Sequence, residues 1–175
     1  MKTHQLKTEI WLPQKRSTVF SFFADPGNLE ALTPGWLHFK ILTPMPLQMK
    51  PGVSIGYRLR LYGIPLRWQS KISVWEPPHR FVDRQVRGPY RLWIHEHTFA
   101  EVDGGTLVRD VVEYAALGGI LVQKLFLARD LKRIFAYRHA RLRQRFGGSD
   151  PQDRTGLRKS PSLSDSAKSS LIELR

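Results

Sequence analysis

The sequence predicts an α+β fold in which a curved antiparallel sheet is covered by one long helix. Between residues 37 and 115, apolar and polar side chains alternate with the period of half-buried strands. Turn sequences separate these segments, namely YGIP (62–65), EPPH (76–79), RGPY (87–90) and DGG (103–105). Because these links are short, strands that follow one another in the chain should pair antiparallel as a meander. After LGG (117–119) the apolar spacing becomes helical, which predicts a helix of about eight turns on the concave side of the sheet. Its predicted apolar side consists of Leu117, Leu121, Leu125, Ala128, Leu131, Phe135, Leu142 and Phe146.

The N-terminal segment predicts one strand followed by two short helices. Residues 4–12 alternate as a strand does, and Pro13 ends the pattern. The sequence DPG (25–27) is a turn signal that separates the two helices. Their apolar faces are formed by Val19, Phe20, Phe23, Leu29 and Leu32.

The composition indicates one soluble domain with a basic surface. The chain has 175 residues, of which 41% are hydrophobic, and this is sufficient for a sizeable core. It contains no cysteine, which excludes disulfide and thiolate chemistry. Neither a signal-peptide segment nor an apolar run of membrane-spanning length occurs. We therefore expect a cytoplasmic protein, with peripheral contact to a membrane as an alternative.

We expect the domain to occupy residues 1–146 and residues 147–175 to form a disordered tail. Ser, Gly, Pro and Asp dominate the tail, so it has too little apolar surface to offset the entropy of ordering. The tail holds 5 Lys/Arg against 4 Asp/Glu, so nearly all of the net charge of +13 belongs to the domain. Such a basic surface is either a solvated face or a contact for an anionic partner.

Two predicted strand segments, 53–63 and 66–78, sort their side chains into an apolar face and a basic face. The apolar faces, which we expect to point inward, contain Ile55, Tyr57, Leu59, Leu61, Trp68, Ser70, Ile72 and Val74. The opposite faces contain Arg58, Arg60, Arg67 and Lys71, with Tyr62 and Trp75 as their aromatic residues. The closing helix adds Lys124, Arg129, Lys132, Arg133, Arg138, Arg141, Arg143 and Arg145. Together these cations predict a band that can hold phosphates of lipid headgroups, RNA or the ribosome.

The hairpin FVDRQVRGPYRLWIHEHTF (81–99) places its unusual side chains at odd positions, which share one face of a strand. We expect this face to point inward, because each large aromatic ring removes roughly 150–250 Å² from water. The register then sets Gln85 opposite Trp93, Asp83 opposite His95 and Phe81 opposite His97. For the next hairpin we expect His97 near Val112, His95 near Tyr114 and Phe99 near Asp110.

These segments resemble the SRPBCC superfamily, the START and Bet v 1 helix-grip proteins, and in particular its bacterial cyclase/dehydrase-like branch. The resemblance spans about residues 4–146 and is carried by YRLRLYGIPLRW, WEPPHRFVDRQVRGPYRLWIHEHTF, GGTLVRDVVEY and RDLKRIFAYRHARL. It implies a helix-grip fold with an internal cavity. The superfamily includes lipid and polyketide carriers, aromatase/cyclases, ubiquinone-binding proteins and ribosome-associated toxins, so it implies no single function.

The polar cluster inside the predicted cavity has several interpretations. It can be a self-satisfied buried network, or it can orient the polar end of an apolar ligand. It can also be catalytic, with Asp83 supporting His95 as acid or base in a cyclase or dehydratase reaction. The spacing of His95 and His97 also occurs in metal sites, but this pair alone justifies no metal assignment, and we assign no cofactor. The candidate ligand-binding residues are Tyr57, Trp68, Phe81, Asp83, Gln85, Trp93, His95, His97, Phe99, Asp110 and Tyr114.

Two further expectations concern the helix start and the pH response. Val122 and Phe126, after the Gly118–Gly119 pair, either plug one end of the barrel or form a gate for an apolar ligand. A pair between Asp83 and His95 should raise the pKa of His95, so that stability falls between about pH 6 and 8. The sequence contains no HExxH, GxSxG or glycine-rich phosphate-loop motif.

Overall fold

Seven antiparallel strands form a single curved sheet in the computed structural model, which describes residues 2–116 and 128–151. The strands are β1 His4–Leu12, β2 Lys40–Ile41, β3 Ser54–Leu61, β4 Ile64–Glu76, β5 Arg80–Arg87, β6 Tyr90–Val102 and β7 Gly105–Ala116. Their spatial order is β1-β7-β6-β5-β4-β3-β2. The predicted meander from β2 to β7 is therefore confirmed, and β1 adds an edge strand beside β7.

Three α-helices accompany the sheet: α1 Arg16–Ala24, α2 Leu29–Leu32 and α3 Ala128–Phe146. Short 3-10 turns at Pro26–Asn28 and Gly35–Leu37 flank α2. The two short helices after the first strand and the C-terminal helix confirm the predicted α+β fold class. No helix in the described part of the chain combines the length and apolar character that a membrane span requires.

Helix α3 buries one stripe of side chains at helical spacing, formed by Leu131, Phe135, His139 and Leu142. Three of these four were expected from the apolar pattern, and His139 is the polar member. The earlier part of the predicted helix, with Leu117, Leu121 and Leu125 and the proposed plug or gate at Gly118, Gly119, Val122 and Phe126, lies outside the described residues.

The core lies between the sheet and the helices in two clusters of buried side chains. The larger cluster joins α1 to β1 and the turn end of β6 and β7, with Phe20 and Phe23 packed on Phe99 at 5.3 and 5.2 Å between ring centroids. The smaller cluster joins Leu131 and Phe135 of α3 to the other end of β6 and β7. The polar residues discussed below lie between these two clusters.

A β-bulge in β4 turns Trp75 into the core. The register with β5 shifts between Ile72 and Val74, and an extra residue in one strand exchanges the faces of the residues that follow it. The Trp75 ring lies 5.3 Å from Phe20 and 5.6 Å from Phe81. The prediction that Trp75 belongs to the outer face is wrong, because an alternation pattern does not reveal the bulge.

The register between β6 and β7 differs by two residues from the predicted one. The structure pairs His97 with Asp110, His95 with Val112 and Phe99 with Val108. The hairpin loop consists of Asp103 and Gly104, both at positive φ, whereas the predicted register needs Gly104 and Gly105 in the loop. Asp-Gly suits a two-residue hairpin turn, and a shift of two residues keeps every side chain on its expected face.

The chain remains attached to the sheet beyond Phe146. Backbone hydrogen bonds join Ser149 to Trp11, and Asp150 forms an ion pair with Arg143. The packed part therefore extends a few residues past the predicted domain boundary. The tail prediction for residues 152–175 lies outside the described residues.

Candidate functional site

A cavity of about 210 Å³ lies between the inner face of the sheet and helices α2 and α3. Aromatic and aliphatic side chains form most of its wall, and polar groups are gathered on the β5–β6 side. Seven of the predicted site residues line it: Tyr57, Trp68, Phe81, Asp83, Trp93, His95 and His97. For four of these residues the β5–β6 register is the predicted one, since Asp83 pairs with His95 and Phe81 with His97.

Four predicted site residues do not line the cavity. Gln85 closes the β5–β6 turn, because its side-chain amide bonds the backbone N–H and C=O of Tyr90. Phe99 belongs to the core cluster around α1. Tyr114 packs on Tyr90 in the smaller cluster, with 6.1 Å between ring centroids. These three side chains pack in the core or close a turn. The alternation of a strand predicts only which face a side chain is on, so it does not separate these roles from lining the cavity.

Asp110, the fourth, lies behind the histidine pair and is almost completely buried. His95 Nε2 is hydrogen-bonded to Asp110 Oδ1 at 3.3 Å, and His97 Nδ1 lies 2.6 Å from the same oxygen. Burial, the largest single effect, raises the pKa of Asp110, but the charge of Arg138 and the two imidazoles together hold it well below its ordinary value. Asp110 is therefore a buried anion that orients the His95 ring by a hydrogen bond and lies in contact with the His97 ring.

Asp83 faces the cavity on the other side of the same two rings. Its Oδ2 atom lies 3.6 Å from His95 Nδ1 and 3.7 Å from His97 Nε2. Its Oδ1 atom accepts a hydrogen bond from Ser70 Oγ at 3.2 Å, and Ser70 Oγ accepts one from Trp68 Nε1 at 3.1 Å. Burial opposes ionisation, yet the imidazoles and Ser70 lower the pKa of Asp83 below its ordinary value.

The pKa of His95 is lowered, so the predicted increase is wrong. Burial is the main cause, the neighbouring His97 adds to it, and the carboxylates of Asp110 and Asp83 oppose it without prevailing. The predicted fall in stability between pH 6 and 8 loses its basis, because it required a raised pKa. Near neutral pH the structure therefore favours a neutral His95 between two carboxylates.

The rings around the polar groups form a nearly continuous aromatic wall. Phe81 stacks on His97 with 4.2 Å between ring centroids, and Phe135 meets His95 edge-on at 5.5 Å. Trp68 and Trp93 meet at 90° with 5.0 Å between centroids. Such edge and offset contacts stabilise aromatic clusters and hold the rings in defined positions. Burial also raises the pKa of the Tyr57 hydroxyl, so it remains a neutral hydrogen-bonding group.

Arg138 lines the cavity, so the prediction that it belongs to the outer basic band is wrong. Its guanidinium lies 5.0 Å from the ring centroid of Phe23 and 6.0 Å from that of Phe135, and the residue lines the cavity. Its Nε atom has no hydrogen-bond partner among the described residues. The helical spacing offered a signal, because Arg138 follows the buried Phe135 by three positions and so shares its side of the helix. A positive group thus faces the same space as the Asp and His side chains.

The basic band exists on the outer face of the sheet. Arg58 lies directly opposite Arg67 on β4 and Lys40 on β2, and all three side chains are exposed. Lys71 lies opposite Arg84 on β5. Within the described ranges, no carboxylate lies within ion-pair distance of Arg58, Arg60, Arg67 or Lys71. Like charges placed opposite one another without counter-ions repel, so this arrangement favours an anion on that face.

Comparison with solved structures identifies the fold as Bet v 1-like, the helix-grip fold. Protein CV1439 from Chromobacterium violaceum matches with a TM-score of 0.65 and 14% identity, over 83% of this chain and 98% of that one. Major latex-like protein 151 from Panax ginseng matches with a TM-score of 0.62 and 10% identity, over 82% of this chain and 97% of that one. A nucleoside-diphosphate sugar epimerase from Corynebacterium glutamicum matches with a TM-score of 0.59 and 25% identity, over 79% of this chain and 28% of that one. No curated protein matches the sequence.

The family assignment comes from a sequence-family model. The model described as "Domain of unknown function (DUF8410)" matches residues 36–146, which include β2 to β7 and the whole of α3. The matched region contains every polar group of the cavity wall described above. This chain, with a helix-grip fold and a polar cluster inside an aromatic cavity, therefore belongs to the DUF8410 family.

Proposed function

We propose that the protein binds a small hydrophobic molecule in the cavity, with the polar end of that molecule on the β5–β6 wall. The observation that carries this proposal is the cavity itself, an apolar space in which Asp83, His95, His97 and Arg138 converge on one side. Ligand sites combine an apolar lining with few, well-placed polar groups in this way. The Bet v 1-like fold supports a ligand-binding role without indicating the ligand.

The size of the cavity favours a compact ligand. At about 210 Å³ it is smaller than the roughly 300–1,000 Å³ of pockets for drug-sized molecules. The aromatic rings of Phe81, Trp68 and Trp93 in the wall favour a flat, unsaturated molecule. A quinone or a cyclised polyketide fragment fits this description better than a complete membrane lipid.

Native mass spectrometry of the purified protein, followed by organic extraction, tests the proposal. We expect an extra mass that disappears after extraction and returns when the extract is added back. The variant Leu59→Trp fills the cavity, because Leu59 is buried and lines it. Ile64→Trp makes a comparable change at a 62% exposed position and serves as the matched control. Equal binding by the two variants would contradict the proposal.

Catalysis of a cyclase or dehydratase type, as in the branch that the sequence resembles, is the second candidate. It is favoured by the neutral His95 oriented by Asp110, because a neutral imidazole can accept a proton from an enolisable carbonyl compound. Once a ligand is known, His95→Ala should remove turnover and leave binding if the residue is catalytic. Loss of both would indicate a binding role only.

The basic band supports a third, separate proposal, docking on an anionic surface. Acidic headgroups at the inner side of a membrane would explain the unpaired cations and would make this a cytoplasmic, peripherally bound protein. Cosedimentation with phosphatidylserine vesicles should fall steeply with salt and should be lost in Arg58→Glu/Arg67→Glu. Binding to RNA but not to these vesicles would instead indicate a nucleic-acid partner.

A further inference from the structure

Three metal-ligating atoms converge on the cavity wall. Asp83, His95 and His97 contribute one such atom each, a carboxylate oxygen and two ring nitrogens, and these atoms lie within 4.8 Å of one another. Asp83 Oδ2 is 3.6 Å from His95 Nδ1 and 3.7 Å from His97 Nε2. The two histidines come from one strand at spacing i, i+2, and Asp83 comes from the neighbouring strand directly opposite His95. The sheet register therefore fixes the position of all three.

The opposite nitrogen of each ring lies close to a single buried carboxylate. His95 Nε2 lies 3.3 Å and His97 Nδ1 lies 2.6 Å from Asp110 Oδ1. Histidines that bind a metal through one nitrogen usually direct the other N–H to a carboxylate or carbonyl, which fixes the tautomer and the ring orientation. Asp110 occupies this supporting position for His95 through a hydrogen bond, and it lies against Nδ1 of His97 without a hydrogen bond in this geometry.

The space between Asp83 and the two rings suits a positive species. A neutral imidazole carries one N–H, so His95 presents the lone pair of Nδ1 to the Asp83 oxygen when its Nε2 donates to Asp110, and His97 does the same when its proton is on Nδ1. Each of the three residues then directs one electron-rich atom at the other two within 4.8 Å in a buried site. Arg138 is the only arginine or lysine among the described lining residues, and its charge acts on Asp110. A divalent cation would offset the remaining negative charge and use all three lone pairs.

We propose that Asp83, His95 and His97 form a zinc site in the cavity wall, with Asp110 as the residue that positions His95 by a hydrogen bond and contacts His97. Zinc bonds of about 2.0–2.1 Å in a tetrahedron place the ligand atoms about 3.4 Å apart, and octahedral ligands at this bond length lie about 2.9 Å apart. The observed 3.6 and 3.7 Å separations are closer to the tetrahedral value. Two imidazoles and one carboxylate are also a ligand set that zinc accepts.

The fourth coordination position opens into the cavity, because all three ligand residues line it. Zinc sites with three protein ligands keep this position for water or for an oxygen atom of a bound molecule. This zinc site stands independently of the proposed hydrophobic ligand, since its donors and their support belong to the sheet. If both proposals hold, a carbonyl or carboxylate oxygen at the polar end of the ligand would bind the metal.

Zinc titration of the untagged, chelator-treated full-length chain tests the site by calorimetry, after organic extraction has removed any ligand. We expect one zinc per chain and a higher melting temperature in its presence. His97→Gln and Asp83→Asn should each weaken zinc binding by more than about 100-fold, and Asp110→Asn by about 10–100-fold. His79→Gln, which changes an exposed histidine elsewhere, should bind zinc as the wild type does.

Three results would overturn the assignment. The first is the absence of stoichiometric zinc binding by the wild-type chain. The second is a zinc affinity that His97→Gln and Asp83→Asn leave unchanged. The third is a visible spectrum of the Co²⁺-loaded wild type that lacks tetrahedral absorption, and this readout applies even when a ligand variant does not fold. None of these outcomes bears on the native mass spectrometry test, so failure of the zinc site and failure of ligand binding are distinguishable.

Discussion

Removal of the Asp110 carboxylate should destabilise the protein far more than removal of an exposed acid. Asp110 is 1% exposed, accepts a hydrogen bond from His95, contacts His97 and faces the charge of Arg138. A hydrogen bond to a charged group contributes about 1.5–3 kcal/mol. Leaving the buried His95 ring without its acceptor adds about 1–3 kcal/mol, which brings the total to about 3–5 kcal/mol. We therefore expect Asp110→Ala to lower the free energy of unfolding by about 3–5 kcal/mol.

Urea unfolding followed by tryptophan fluorescence, with a chelator present, measures this cost. With an m-value of about 2 kcal/mol/M, the midpoint should move down by roughly 1.5–2.5 M. Asp150→Ala is the matched control, because Asp150 is half exposed and its ion pair with Arg143 should contribute at most about 1 kcal/mol. In Asp110→Ala/Arg138→Met the two costs should be less than additive. Equal midpoints for Asp110→Ala and Asp150→Ala would refute the buried charge network.

Two more predictions concern acid stability and packing. Burial lowers the pKa of His139; Arg143 and Arg138 lower it further, and Asp110 and Asp150 oppose the change without prevailing. The neutral His139 therefore contributes fully to the free energy of unfolding above about pH 6.5. This contribution is lost as the pH falls from there towards the folded-state pKa. The drop in melting temperature from pH 7.5 to 5.5 should be smaller in His139→Gln, and an unchanged drop would exclude this origin. Gly105→Ala should cost about 1–3 kcal/mol, because the new Cβ would lie 2.5 Å from both Leu12 O and the Trp11 ring. Gly35→Ala meets no atom within 4 Å, and an equal cost in denaturant unfolding would show that the clash is relieved.

Local patterns in the sequence were sufficient to predict the fold and about half of the candidate site. Alternation identified the inward face of β3, β5 and β6, because successive side chains of a strand point to opposite sides. The tight RGPY turn set the β5–β6 register, and with it the pairs of Asp83 with His95 and Phe81 with His97. Adjacent residues and short turns decide these features, so no knowledge of distant packing was needed.

Features that depend on more than one strand pair or on the helix required the tertiary structure. The observed β6–β7 register differs by two residues from the predicted one and places Asp110 opposite His97. The bulge in β4 places Trp75 on the inner face of the sheet. Arg138 turned inward because the aromatic rings of Phe23 and Phe135 surround its guanidinium, a contact between elements far apart in the chain.

The sequence by itself determined which residue types are available on the inner face: two histidines, an aspartate and a wall of aromatic rings. The tertiary structure alone decided that Asp110 lies behind both imidazoles and Asp83 in front of them, with 3.3 and 3.6 Å separating His95 from the two acids. The physical reason is that side-chain chemistry repeats with the local period of a strand. Distances between side chains depend on register, twist and the packing of the helix, which are properties of the whole sheet.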